Sequence, residues 1–208
     1  LIIEFIMKKH LTTHILIILF IFFSTPIIQA GEEPRINLRP YYKQLSVAQV
    51  QEIPNISIRK KEVWGFHGHS TIDRDFYLKT INDDKVVADS ATGLMWHQSG
   101  SGKYFSWKRA KKWIGKLNKE GYAGFQDWKL PTVEEAASLL EPEKKSNNLH
   151  VNPVFDKKQW SIWTCDSHIS DDSLTLNGAW RVSFSDGTVS WGSNSLDLFY
   201  IRPVRLNK

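Results

Sequence analysis

The sequence predicts an α+β domain in which two helices pack on short antiparallel sheets. Two segments, 106–120 and 132–140, place apolar residues at helical spacing behind a hydroxyl-bearing capping residue. Segments before and after that pair alternate apolar and polar residues around tight-turn signals, the pattern of half-buried strands. Apolar residues make up 41% of the 208-residue chain and nine residues are Trp, enough for one aromatic-rich core.

The chain begins with a targeting pattern. Met7, Lys8, Lys9 and His10 form a short basic stretch, residues 15–23 run apolar without a break, Pro26 interrupts them, and Ala30 precedes Gly31. That is the layout of a bacterial secretory signal peptide over residues 1–30, with residues 1–6 read as upstream of the true start. The apolar run falls short of the roughly 20 residues a membrane span needs. The mature chain is therefore expected in the periplasm, at the cell surface or secreted, with no membrane span.

Residues 31–62 read as an extension or linker punctuated by Pro34, Pro40 and Pro54. A short helix fits inside it, with Ser46 as cap, Val47 and Val50 on one face, and Pro54 ending it. The domain proper reads as 63–208. Residues 76–81 and 85–89 form a hairpin around Asn82, Asp83 and Asp84, and 93–97 is a further short strand. In the first helix, capped by Ser106, residues Trp107, Ala110, Trp113, Ile114 and Leu117 share one face, and Gly121 stops it. Lys108, Lys112, Lys116 and Lys119 line the other side, either a solvated face or a contact for an acidic polymer. Thr132 opens the second helix with a capping box completed by Glu135. Ala136, Leu139 and Leu140 supply its buried side. Residues 141–160 read as a long polar loop, a place where compact domains put function. Strands follow at 161–165, 179–184 and 188–191, the last two joined through Asp186 and Gly187. A final strand spans 198–204, with Pro203 marking an edge or bulge.

Charge and motifs exclude several functions. A net charge of +5 without a recognisable motif is not a nucleic-acid signature. His67 and His69 are the closest His pair and lack a third ligand, so no metal and no cofactor are expected. There is no nucleophile elbow, and Cys165 with His168 lies too close in sequence for a catalytic couple. The 100–103 stretch lacks the full phosphate-loop spacing. The lone Cys165 allows no intramolecular disulfide and reads as a small buried hydrophobe.

Four segments carry a family resemblance: 89–96 (DSATGLMW), 121–132 (GYAGFQDWKLPT), 162–164 (IWT), and Ala179-Trp180 with Asp186-Gly187 and 201–205 (IRPVR). Together, over about residues 76–205, they resemble the Lcl C-terminal domain family, a bacterial domain of poorly known function. The resemblance implies a C-type-lectin-like fold but not sugar binding, because one fold hosts many functions. The two Cys that family members often carry correspond to Ile114 and Pro203 here. Glu141-Pro142-Glu143 is a poor imitation of the calcium loop of such lectins. Residues 130–135 also resemble formylglycine-generating enzymes, but those work through a pair of Cys that this chain lacks, so no catalytic residues are assigned.

Within the motif, Asp89 is read as closing a turn before Thr92 and Gly93. Trp96 and Trp128 are read as core, and Asp127 as an acceptor for backbone or indole hydrogen bonds. Pro131, Thr132, Trp163, Trp180, Gly187 and Arg202 complete the structural set. The function expected is an exported, non-catalytic binding module for a glycan or envelope protein. The alternatives are a protein-interaction subunit of an envelope complex, retaining its partner through residues 31–60, and, ranked last, an enzyme like the formylglycine-generating ones. The candidate ligand residues are Asp166, Asp171, Asp172, Trp191, Asn194 and Asp197, on loops beside the C-terminal strands, with Trp191 stacking on the ligand.

Overall fold

A computed structural model describes residues 36–169 and 178–207. The signal-peptide reading and the candidates Asp171 and Asp172 lie outside the described residues. Within them the architecture is α+β: three helices and two sheets.

The first hairpin forms as the sequence predicts. Strand β4 (Phe76–Ile81) pairs antiparallel with β5 (Asp84–Asp89), and the two-residue turn between them uses Asn82 and Asp83, both with positive φ. Strand β6 (Leu94–His97) and β10 (Val204–Leu206) complete a four-stranded sheet in the order β10-β6-β5-β4. Asp89 closes the turn into β6. Its carboxylate accepts from the Ala91 and Thr92 N–H groups and the Thr92 hydroxyl, and pairs with Arg74, while Gly93 takes φ +66°.

The second sheet holds β1 (Gln44–Leu45), β2 (Ile56–Glu62), β3 (Gly65–Ser70), β7 (Ser161–His168), β8 (Gly178–Ser183) and β9 (Thr188–Ser193), in the order β1-β7-β8-β9-β3-β2. Two expectations need correction here. Residues 36–62 are not a linker. Helix α1 (Val47–Val50), closed by a Ser46–Gln49 capping box, and strands β1 and β2 are built into the sheet, so the domain does not begin at 63. Nor is that sheet wholly antiparallel, because β1 runs parallel to the end of β7.

Helix α2 (Trp107–Glu120) buries Ala110, Ile114 and Leu117 and ends at Gly121 in the left-handed conformation. Helix α3 (Val133–Ala137) is shorter than predicted. Its capping box is present, but the chain leaves the helix after Ser138 to deliver Leu139 and Leu140 to the core. The 141–160 segment is a loop without helix or strand, as expected, but it also buries Leu149, Val151, Phe155 and Gln159 and so contributes to the core. The last strand also shifts. Residues 199 and 200 make only single bridges, and pairing resumes at Val204, after Pro203, whose carbonyl accepts from the His97 N–H. Proline has no N–H to give a ladder, which is why the strand starts beyond it.

The core is aromatic. Trp96, Trp128, Trp163 and Trp180 are buried, and three of their indole N–H groups reach carbonyls: Trp128 to Tyr122, Trp163 to Phe105, Trp180 to Leu45. Arg202 is fully buried. Its guanidinium donates to the Gln98 and Asp156 carbonyls and lies 4.6 Å from the Phe155 ring. Arg205 binds Asp127 through Nε at 2.6 Å and Nη2 at 3.2 Å, so a guanidinium engages the Asp127 carboxylate.

The N-terminal segment is clamped by one buried carboxylate. Asp166 accepts from Arg39 at 3.0 and 2.7 Å, from the Lys43 N–H at 2.7 Å and from the Val133 N–H at 2.7 Å. The Thr132 hydroxyl donates to the Arg39 carbonyl at 2.9 Å. Burial works against the Arg39 charge, but the Asp166 carboxylate outweighs it and the guanidinium pKa rises. Replacing Asp166 with Ala is expected to cost about 3 kcal/mol, the usual penalty for leaving one partner of a buried pair unmatched. Chemical denaturation of the variant and the parent measures it.

His97 gives a second prediction. It is buried, stacks on Tyr122 at 3.9 Å and accepts from the Gly100 N–H through Nδ1. Burial, with a smaller contribution from Arg202, pushes its pKa down to about 3. The unfolded state therefore binds the proton first, and stability present above pH 6.5 declines as pH falls towards 3. His97→Gln is expected to flatten that decline in denaturation curves taken across this window.

Candidate functional site

Helix α2 organises the concave surface. Its N-terminal end and the 193–197 turn enclose a cavity of about 360 Å³ lined by Ser106, Trp107, Lys108, Lys111, Asn194 and Ser195. Ser106 caps the helix through backbone geometry without a side-chain hydrogen bond, and no acidic residue sits in the first turn. The helix dipole and two lysines thus make this hollow favourable to negative charge. The Trp107 indole donates to the Thr164 carbonyl at 2.7 Å, which fixes the ring. The Lys111 ammonium lies 3.5 Å from the centre of that ring, and burial lowers its pKa.

On the other side of Lys111 lies a more apolar hollow of about 300 Å³, walled by Pro40 and Tyr42, floored by Ile114, Trp128, Leu130 and Cys165, and edged by Lys129. Lys111 is common to both. Lys108, Lys112, Lys116 and Lys119 are exposed along the same helix, and Lys116 pairs with Glu120 at 3.5 Å.

The expected ligand residues are dispersed. Asp166 is fully buried and saturated by the clamp, so it is not a ligand group. Asp197 closes the turn by accepting from the Ser193 N–H at 2.7 Å. Trp191 is half-buried, packs on the core and lies face to face with His168 at 4.4 Å. One of its faces is therefore already taken. Asn194 alone of the described candidates lines the cavity. Trp107 was legible only as a core position, and Tyr42 not at all, because it sits in the segment read as a linker. The lysine stripe was the available signal.

Among the described residues, no group of three or more His, Cys, Asp or Glu side chains could hold a metal ion. None of the described helices is long and apolar enough to cross a membrane.

Burial, reinforced by Asp166, pushes the Cys165 thiol pKa up to about 12. The thiolate is the nucleophile, so Cys165 is expected to resist iodoacetamide at pH 8 in the native protein and react only after unfolding. Mass spectrometry under the two conditions checks this.

Comparison with known proteins places this architecture in a family. No curated protein matches the chain. The family model described as the Lcl C-terminal domain matches residues 85–205, which takes in β6 to β9, nearly all of β5 and β10, helices α2 and α3, all of the polar hollow's lining and the apolar hollow's lining apart from Pro40 and Tyr42. The chain belongs to the Lcl C-terminal domain family.

Proposed function

We propose that this is an exported, non-catalytic binding module of the C-type-lectin-like kind, and that its ligand is a glycan carrying negative charge. The supporting observation is the hollow at the start of α2. A fixed Trp, two lysines, two small hydroxyl side chains and one amide converge there on the positive end of a helix, with no carboxylate in the lining. Aromatic rings offer apolar faces to sugars, and the few polar groups set orientation.

Of the groups whose pKa burial shifts, His97, Glu135 and Arg202 are engaged in packing or capping outside the lining of both hollows, whereas Lys111 and Cys165 belong to that lining. For the reading as a protein-interaction subunit, residues 36–60 are largely committed to the sheet and the clamp, so a partner would meet them as part of the folded domain. Export rests on the residue 1–30 pattern.

The test is a glycan array that includes sulfated polysaccharides, probed with the mature protein from Gly31 on, with and without calcium. Salt-sensitive binding is expected, and Lys111→Gln is expected to weaken it by about tenfold, one lost charged contact of about 1.4 kcal/mol, at unchanged melting temperature. Absence of binding by folded protein contradicts the proposal.

A further inference from the structure

Two open sheets have four edges, and an exposed edge offers its free N–H and C=O groups to another strand. Three of the edges here are guarded. Strand β1 is two residues long. Strand β2 carries exposed Arg59, Lys60 and Lys61 and a register shift between Ile58 and Lys60. Strand β10 is covered by the backbone of Lys129, which exchanges hydrogen bonds with Val204 at 2.9 and 3.0 Å.

The fourth edge, β4, is the least guarded of the four among the described residues. It is six residues long and regularly paired with β5 on its inner side. Tyr77 and Leu78 are 53% and 52% exposed, and Lys79 is its sole charge. The Asn82-Asp83 turn makes Ile81 and Asp84 the closing hydrogen-bonded pair. Tyr77, Lys79 and Ile81 therefore turn their N–H and C=O groups towards β5, while Phe76, Leu78 and Thr80 turn theirs outward.

We propose that β4 is an interface for a second copy of this chain, paired antiparallel about a two-fold axis at Leu78. In that register Leu78 faces Leu78, Tyr77 faces Lys79 and Phe76 faces Thr80 across the axis. All side chains meet on matching faces, and the Tyr–Lys pairs gain a cation–π contact. The neighbouring register centred on Lys79 sets two lysines directly opposite each other, which is unfavourable. Charge thus favours the Leu78-centred alignment over its lysine-centred neighbour, and the pairing joins two four-stranded sheets into one of eight. One strand pair buries little area, so the dimer is weak.

A register-specific crosslink tests this in the mature chain carrying Cys165→Ser. Hydrogen-bonded antiparallel partners have Cα atoms about 5.5 Å apart, within the range of roughly 4.4–6.8 Å that a disulfide spans. Leu78→Cys is expected to form a covalent dimer under mild oxidation. Lys79→Cys, with its mates about 8 Å apart in this register, is expected to lag well behind. Sedimentation of the uncrosslinked protein should show mass rising with concentration, and Leu78→Lys, a change on an exposed side chain, should hold it at the monomer. Equal or absent crosslinking at the two positions, preference for Lys79→Cys, or association that survives Leu78→Lys overturns the proposal.

Discussion

The structure depends on the buried Asp166 carboxylate more than on any other single group. An unpaired carboxylate in a protein interior is prohibitively costly, so its presence forces donors to assemble around it. They come from the N-terminal segment, through the Arg39 guanidinium and the Lys43 amide, and from the first amide of α3. This one residue fixes where the N-terminal segment runs and where α3 begins. Arg39 is the natural partner because its planar fork meets both carboxylate oxygens.

The clamp also shapes the concave surface. Pro40 and Tyr42 lie between Arg39 and Lys43 and wall the apolar hollow. Two residues before Asp166, the Thr164 carbonyl receives the Trp107 indole. The same strand therefore holds the N-terminal segment at one point and orients the aromatic floor of the polar hollow at another. Lys111 sits between them over the Trp107 ring, so its position follows from both.

Much of the fold could be read from residue pattern because the local signals agree with the tertiary result. The Asn82-Asp83 hairpin, Gly121 as helix stop, the Thr132–Glu135 capping box and the Trp core all obey rules that act within a few residues. The failures are non-local. Residues 36–62 look like a linker because β1 has only two residues and β2 runs into Arg59, Lys60 and Lys61 without alternation, although the short helix behind Ser46 was legible. Their order comes from Asp166, over a hundred positions away. The 141–160 segment looks polar because its few core residues are spaced irregularly.

The site was harder to read for the same reason. Acidic side chains near turns suggested ligand groups, yet Asp166 and Asp197 serve the backbone. Trp107 satisfies helical periodicity as a core residue while one part of it faces a hollow, and sequence pattern cannot separate those roles. The stripe of Lys108, Lys112, Lys116 and Lys119 was visible but left out Lys111, and only the fold shows that Lys108 and Lys111 line a hollow beside a fixed ring at the start of a helix.

Hydrogen exchange of the Lys43 and Val133 amides tests most directly whether Asp166 holds the domain together. Both donate to that carboxylate, one from the N-terminal segment and one from α3. If the clamp is central, both amides exchange only through global unfolding, as slowly as the amides of the Trp163 strand. Fast exchange at Lys43 and Val133 beside a protected Trp163 strand would contradict the account.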